Sequence, residues 1–361
     1  MSSRATYLSY FILSLFQRSP HLKTAQLYHI LTGKRTASTL YQALEKNLLN
    51  YFSLSESLTR KEFEALIVAA SRQGWLERVE ESFYQLTSTG KQEVETYFKE
   101  HHFPAHLQSL RYGNLTKPLW ERMQLVTQIF SEKSYGNRQY TPVIKNYAHQ
   151  RWCKQWIKKF APLEKDTTRQ LVVEWKQLFE RMEPRMANAL AMRLTGHGQI
   201  GATHHQTAQR LNMETEEMEF FILNALHAAY TLIEENTALF PLFASLYTQT
   251  DKETYEGLSE SVWITGQYLQ QDYPLEEIAQ KRKLKLGTVH EHIIELAIVN
   301  PHFPIEQYVP QSVWHFLHQE MEKTTDIPYK KLSERMNDLP FYCYRLVQIE
   351  RKRKDATESS V

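Results

Sequence analysis

The stretch Pro274–Leu296, PLEEIAQKRKLKLGTVHEHIIEL, constrains the fold more than any other part of the 361-residue chain. Pro274 is pre-set for a first helical position, and Glu276 and Glu277 follow where the helix dipole favours acids. Ile278 and Ala279 face a core, and the small alanine lets a second helix cross closely. Leu284 closes the first helix, and Lys285-Leu286-Gly287 makes the break. Thr288 caps or begins the next helix, whose Val289 and Ile293 return to the same core. From Ala279 the apolar positions fall five and ten residues on, at Leu284 and Val289, as two short crossing helices require. The pattern is that of a helix-turn-helix. It leaves Lys285, Thr288, His290 and Glu291 outward, where a recognition helix presents side chains to base edges. A helical hairpin buried in a core has the same spacing and is the competing reading.

The surroundings, from Leu258 to Tyr308, resemble the helix-turn-helix found at the C-terminus of some RecQ-type helicases. The residues that carry the resemblance are Val262-Trp263-Ile264-Thr265, Pro274 through Ala279, Leu284, Gly287-Thr288-Val289 with His292, and the closing turn Pro304-Ile305-Glu306-Gln307-Tyr308. The family's usual small residue in the turn is Lys283 here. The whole chain resembles the YpbB-like proteins of Gram-positive bacteria, typically encoded beside a RecQ-like helicase. That resemblance implies DNA and a RecQ-like helicase as partners. Within the motif the candidate DNA-binding residues are Lys283, Lys285, Gly287, Thr288, His290, Glu291 and His292.

Nearer the N-terminus, an apolar helix over 5–17 ends at Ser19-Pro20, and helices over Thr24–Leu31 and Thr36–Leu49 flank the turn Thr32-Gly33-Lys34-Arg35. Lys34, Arg35, Ser38, Thr39 and Gln42 combine cations with small hydroxyl and amide side chains, a composition suited to phosphate and base contact. Next come a helix from Leu58 to Arg72, Gly74-Trp75-Leu76-Glu77-Arg78, and Ser82-Phe83-Tyr84-Gln85-Leu86-Thr87. The order resembles the closing hairpin of winged-helix domains, and two short alternating strands support it locally. Glu77, Glu80 and Glu81 make the turn acidic, so it would repel a DNA backbone. A winged helix used for protein contact is the alternative.

Charge is uneven although the net formal charge is only +2. Residues 99–159 hold 11 Lys and Arg against 3 acids, whereas 160–260 hold 8 against 15, so +8 gives way to −7. In the basic stretch cations are interleaved with rings, as in surfaces that track a single strand. Trp152, Trp156 and Phe160 nevertheless share one helical face, as a core stripe does. Further on, Ala208, Met213 and Met218 reproduce Ala279, Leu284 and Val289 at a displacement of 71 residues, and this copy weakly resembles the fourth region of bacterial sigma factors. Its outward positions are Glu214, Glu216, Glu217 and Glu219. Four carboxylates exclude a phosphate-lined groove, so the copy is structural or binds protein. Gly196-His197-Gly198-Gln199-Ile200-Gly201 is a formal G-x-G-x-x-G, but it follows a helix and lacks a βαβ unit, so it reads as a loop.

Glycine is sparse at 11 residues, against a usual share of about 7 %, which points to a mainly helical protein. Two unpaired cysteines, Cys153 and Cys343, exclude a disulfide framework or thiolate zinc site and fit a reducing cytoplasm. No apolar run approaches the roughly 20 residues that span a bilayer. No pattern implies a catalytic site, metal, cofactor or small-molecule ligand.

The expected architecture is mainly α, with several helix-turn-helix units joined by helices and a small β-hairpin, or wing, in the N-terminal domain. The domains are a winged-helix-like domain (1–100), a helical domain with the acidic motif (101–240), a helicase-type helix-turn-helix domain (241–320), and a terminal helix with a disordered basic tail (321–361). The expected function is that of a cytoplasmic, non-enzymatic DNA-binding protein accessory to a RecQ-like helicase. The alternatives are a protein–protein adaptor that uses these folds as docking surfaces, or a transcriptional regulator.

Overall fold

A computed structural model describes residues 6–18, 22–161, 165–323 and 327–358. Ser19, Pro20 and the last three tail residues lie outside them. In chain order the elements are α1 (Tyr7–Arg18), β1 (Leu22–Lys23), α2 (Thr24–Leu31), α3 (Ala37–Glu45), α4 (Arg60–Arg72), β2 (Leu76–Glu80), β3 (Phe83–Leu86), α5 (Ser88–Glu100), α6 (Ser109–Ser134), α7 (Tyr147–Phe160), α8 (Lys165–Arg181) and α9 (Pro184–Ala191). They continue with α10 (His204–Leu211), α11 (Thr215–Glu235), α12 (Pro241–Glu253), α13 (Glu260–Leu269), α14 (Leu275–Arg282), α15 (Leu286–Val299), α16 (Gln311–Lys323), α17 (Tyr329–Ser333) and α18 (Phe341–Glu358). The fold is mainly α with one small sheet, as composition implied. Among the described residues no helix is long and apolar enough to cross a membrane.

The chain divides into two compact units, Met1–Tyr28 with Ser57–Gly257, and His29–Glu56 with Leu258–Val361. These are not the expected domains. The boundary near residue 100 disappears because α1 packs on both α5 and α11. Tyr7 sits among Tyr97, Phe98 and Phe220, and its hydroxyl donates to the His102 carbonyl at 2.8 Å. Residues 29–56 leave the N-terminal domain because α3 packs on α15. Residues 321–361 are no appendage either, since α18 also packs on α15 and runs on through Asp355, where a disordered tail was expected. Arg353 of the basic quartet donates to the carbonyls of Ala297, Asn300 and Phe303, capping the C-terminal end of α15.

In the first unit the expected hairpin forms. β2 and β3 pair antiparallel in the register Leu76↔Leu86 and Glu77↔Gln85, and β1 adds to β3 as Leu22↔Tyr84, giving the order β1-β3-β2. Thr59 and Glu62 form a capping box that starts α4, the helix leading into the hairpin. The core gathers α6, α8, α9, α11 and α12, with Trp120, Trp175 and Phe243 in edge contact.

The 71-residue repeat is real in three dimensions. α10 ends at Asn212 in the left-handed conformation (φ 53°, ψ 49°), and α14 ends at Lys283 in the same conformation (φ 54°, ψ 41°). Met213 donates to the Ala208 carbonyl at 3.0 Å, and Leu284 donates to that of Ala279 at 2.9 Å. The acidic copy is structural in part, which corrects its outward reading. Glu217 is buried and accepts from His102 N and His101 Nδ1, and Glu216 accepts from Leu8 N. Only Glu214 and Glu219 remain exposed. The G-x-G-x-x-G segment is a loop closed by reciprocal backbone bonds between Gly196 and Gln199.

Candidate nucleic-acid interface

Within the second unit, α13, α14 and α15 build the helix-turn-helix. Its turn comes earlier than the spacing indicated. Pro274 is the residue before α14, Lys283 terminates that helix, and Leu284-Lys285 bridges to α15, which begins at Leu286. The break at 285–287 and the Thr288 cap are therefore corrected. Lys285 occupies the N-cap position and its side chain makes no capping bond, because lysine has no acceptor to offer an amide. A Cβ built on Gly287 would meet nothing within 4 Å. The first turn of α15 is thus open, with Lys283, Lys285, Leu286 and Gly287 exposed and Thr288 half-buried.

Beyond that turn the helix is not a free rod. From His292 to Ile298 every residue is buried, beneath α3, α13, α14 and α18. Val289, Ile293, Ile294, Leu296, Ala297 and Ile298 take up about 200° of its circumference, and the remaining sector is closed where Glu295 accepts from Arg35 and Ser259 and where His292 meets Thr265. His292 is a core residue. Its Nδ1 lies 2.7 Å from Thr265 Oγ1, and that hydroxyl oxygen also accepts from Arg282. Burial, aided by the Arg282 charge, lowers the His292 pKa. His290 stacks on Tyr342 with ring centroids 3.9 Å apart, and burial lowers its pKa too. Neither imidazole is a phosphate-binding cation at neutral pH.

The N-terminal group fares unevenly. Lys34 is exposed in the turn before α3. Arg35 is committed elsewhere, its Nε 2.9 Å from Glu295 Oε1 and its guanidinium over the Phe52 ring. Thr39 is buried, and its backbone N donates to Thr36 Oγ1 as part of the α3 cap. Gln42 is half-buried on α3 and its carbonyl accepts from Lys46 N. Ser38 remains exposed.

Four of the expected residues, Ser38, Gly287, His290 and Glu291, meet around one cavity of about 360 Å³. Its remaining wall comes from α18, through Phe341, Tyr342 and Arg345. The Arg345 guanidinium lies 3.5 Å from the centroid of the Tyr41 ring. The α18 residues were missed because the sequence placed that helix in a separate terminal segment; the signal was the dense aromatic run Phe341-Tyr342-Cys343-Tyr344-Arg345. The first turns of α3, α15 and α18 all border the cavity, each carrying the partial positive charge of a helix N-terminus, with Glu291 the one carboxylate among the lining residues.

Residues 261–348 match the family described as a helix-turn-helix domain, a span that reaches into the first half of α18. The chain is also similar to Protein YpbB of Bacillus subtilis (strain 168), at 27 % identity over 285 residues covering 78 % of this chain and 79 % of that protein. No solved structure matches. The resemblances to a C-terminal helix-turn-helix and to the YpbB-like proteins, both read from the sequence, therefore stand, and a helix-turn-helix domain points to DNA as ligand.

Proposed function

We propose that this chain is a non-enzymatic, cytoplasmic DNA-binding protein whose duplex contact is the α14–α15 turn with the first turn of α15, and that it serves as accessory to a RecQ-like helicase. The observation that carries the DNA reading is the open helix start: an uncapped N-terminus, unobstructed at Gly287, preceded by the exposed Lys283 and Lys285. Backbone amides at such a terminus bind phosphate oxygens, and the two ammonium groups add counterion-releasing charge. The contact is a phosphate anchor more than a base reader, because the second half of α15 is packed away. The helicase role rests on the resemblance of residues 258–308 to the helix-turn-helix of RecQ-type helicases. The winged-helix reading of the first unit is supported by the β1-β3-β2 order and by α4 before the hairpin.

Duplex binding followed by fluorescence anisotropy from 50 to 200 mM salt tests the DNA reading. Lys285→Glu with Thr288→Ala is expected to abolish it without unfolding the chain. Co-purification of a RecQ-like helicase, with and without nuclease, tests the partner. A protein–protein adaptor is the second reading, favoured by the burial of α15 and by Phe341 standing 48 % exposed beside the cavity. It requires no DNA affinity at any salt concentration.

A further inference from the structure

Helix α7 carries charge that the fold does not use. Of the basic stretch 99–159, Arg111 is consumed by Asp251 and Glu234, and Arg122 by Glu253. Two of its three acids are also consumed, Glu121 by His149 and Glu132 by His197. Apart from Glu100, what remains outward is cationic. α7 has no acidic residue, and it packs on α6 and α12 through Cys153, Trp156 and Ile157. Its opposite face presents Tyr147, Arg151, Lys154 and Lys158, all exposed, with Tyr147 at 83 %. At about 100° per residue these four lie within roughly 60° of one another, a single ridge whose members follow at about 4.5–6 Å along the axis. None of the three cations has an ion-pair partner among the described residues.

We infer that the α7 ridge is a binding track for single-stranded nucleic acid, with Arg151, Lys154 and Lys158 on successive phosphates and Tyr147 stacking an unpaired base. The ridge is separate from the α14–α15 contact and does not depend on it. Exposed rings beside a line of cations are the elements of sequence-tolerant single-strand binding. An anionic membrane surface fits less well, because a helix lying in a bilayer interface needs a bulky apolar face outward, and the apolar face of α7 is inside the core.

The test is fluorescence anisotropy of the full chain with a labelled oligo-dT of about 20 nucleotides, across a salt series. Arg151→Ala/Lys154→Ala/Lys158→Ala is expected to weaken binding roughly tenfold to a hundredfold at 0.1 M salt and to reduce the log–log salt slope by about 2, at about 0.7 per phosphate contact. Tyr147→Ala is expected to weaken binding about tenfold with an unchanged slope. Circular dichroism and melting temperature of the triple variant should match the parent, since all three side chains point to solvent. Lys283→Glu/Lys285→Glu, run in parallel, should retain oligo-dT binding while losing duplex binding, so the two contacts fail separately. The inference is overturned if the parent does not bind oligo-dT at 50 mM salt. It is equally overturned if the triple variant keeps the parental affinity and slope, or loses binding to phosphatidylserine vesicles while keeping oligo-dT.

Discussion

Lys283 holds two roles that a single substitution separates. It ends α14 in the left-handed region, at φ 54° and ψ 41°, where a residue with a Cβ is disfavoured by about 1–2 kcal/mol and glycine is not. Lys283→Gly removes that strain. The gain is partly offset by the greater freedom of glycine in the unfolded chain, about 0.5–1 kcal/mol. The net expectation is a stabilisation of about 0.5–1 kcal/mol, or about 2–4 °C in the melting transition of the second unit. The same change deletes an exposed cation from the proposed contact. One phosphate contact fewer should lower the salt slope for duplex binding by about 0.9 and the affinity at 0.1 M salt about fivefold to tenfold. Denaturation and anisotropy on one preparation therefore move in opposite directions. Asn212→Gly is the internal control, since asparagine tolerates this conformation and Asn212 lies in the acidic copy; it should change stability little and binding not at all. A Lys283→Gly variant that is less stable than the parent would refute the left-handed turn. One that is more stable yet binds DNA as before would refute the contact.

Four further outcomes follow from packing and charge. Glu295→Ala removes the carboxylate that Arg35 Nε and the Ser259 amide share and should cost about 2 kcal/mol in urea denaturation, below the usual figure for a broken buried pair because Arg35 is 23 % exposed. Arg35→Ala should leave DNA affinity unchanged, as its cation is already engaged. His227 accepts from Gln108 N at Nδ1 and faces Thr116 Oγ1 at Nε2, and burial drives its pKa from 6.5 down to about 3. Below pH 6.5 only the unfolded chain takes up that proton, so stability should fall by about 1.4 kcal/mol per pH unit on acidification towards pH 3, with His227→Gln flattening the profile. Gly90→Ala would bring a Cβ to 2.2 Å from the Trp75 carbonyl oxygen and should destabilise the junction of β2 and α5 by about 1–3 kcal/mol.

The parts of this fold that were legible in sequence are those set by local spacing. The Ala279-Leu284-Val289 pattern and its copy at Ala208-Met213-Met218 reveal both helix-turn-helix units, though not the exact residues of the turn, because five-residue steps across a left-handed cap are a local geometric requirement. The hairpin at 76–86 was legible for the same reason. What was not legible depends on contacts distant in sequence. Nothing near Ala37 indicates that α3 will pack on α15, which turns Thr39 inward and ties Arg35 to Glu295, a partner 260 residues away. The basic quartet read as a solvated end because its role, Arg353 capping the last carbonyls of α15, is visible only once α18 lies beside that helix. His292 was not legible for the same reason: Thr288, Glu291, His292 and Glu295 share one polar sector of α15, and it is Thr265 and the Arg35–Glu295 pair that close it over His292 and Glu295.

The most direct measurement uses the open space at Gly287. Cys153 and Cys343 are fully buried, so Gly287→Cys supplies the accessible thiol for an azidophenacyl photocrosslinker without meeting a neighbour. Irradiation with labelled duplex should yield a protein–DNA adduct that fades as salt rises, whereas the same label on Glu81→Cys, at the acidic hairpin turn, should yield none. A Gly287→Cys protein that binds the duplex as the parent does, yet forms no adduct, would contradict the placement of DNA at the α14–α15 turn.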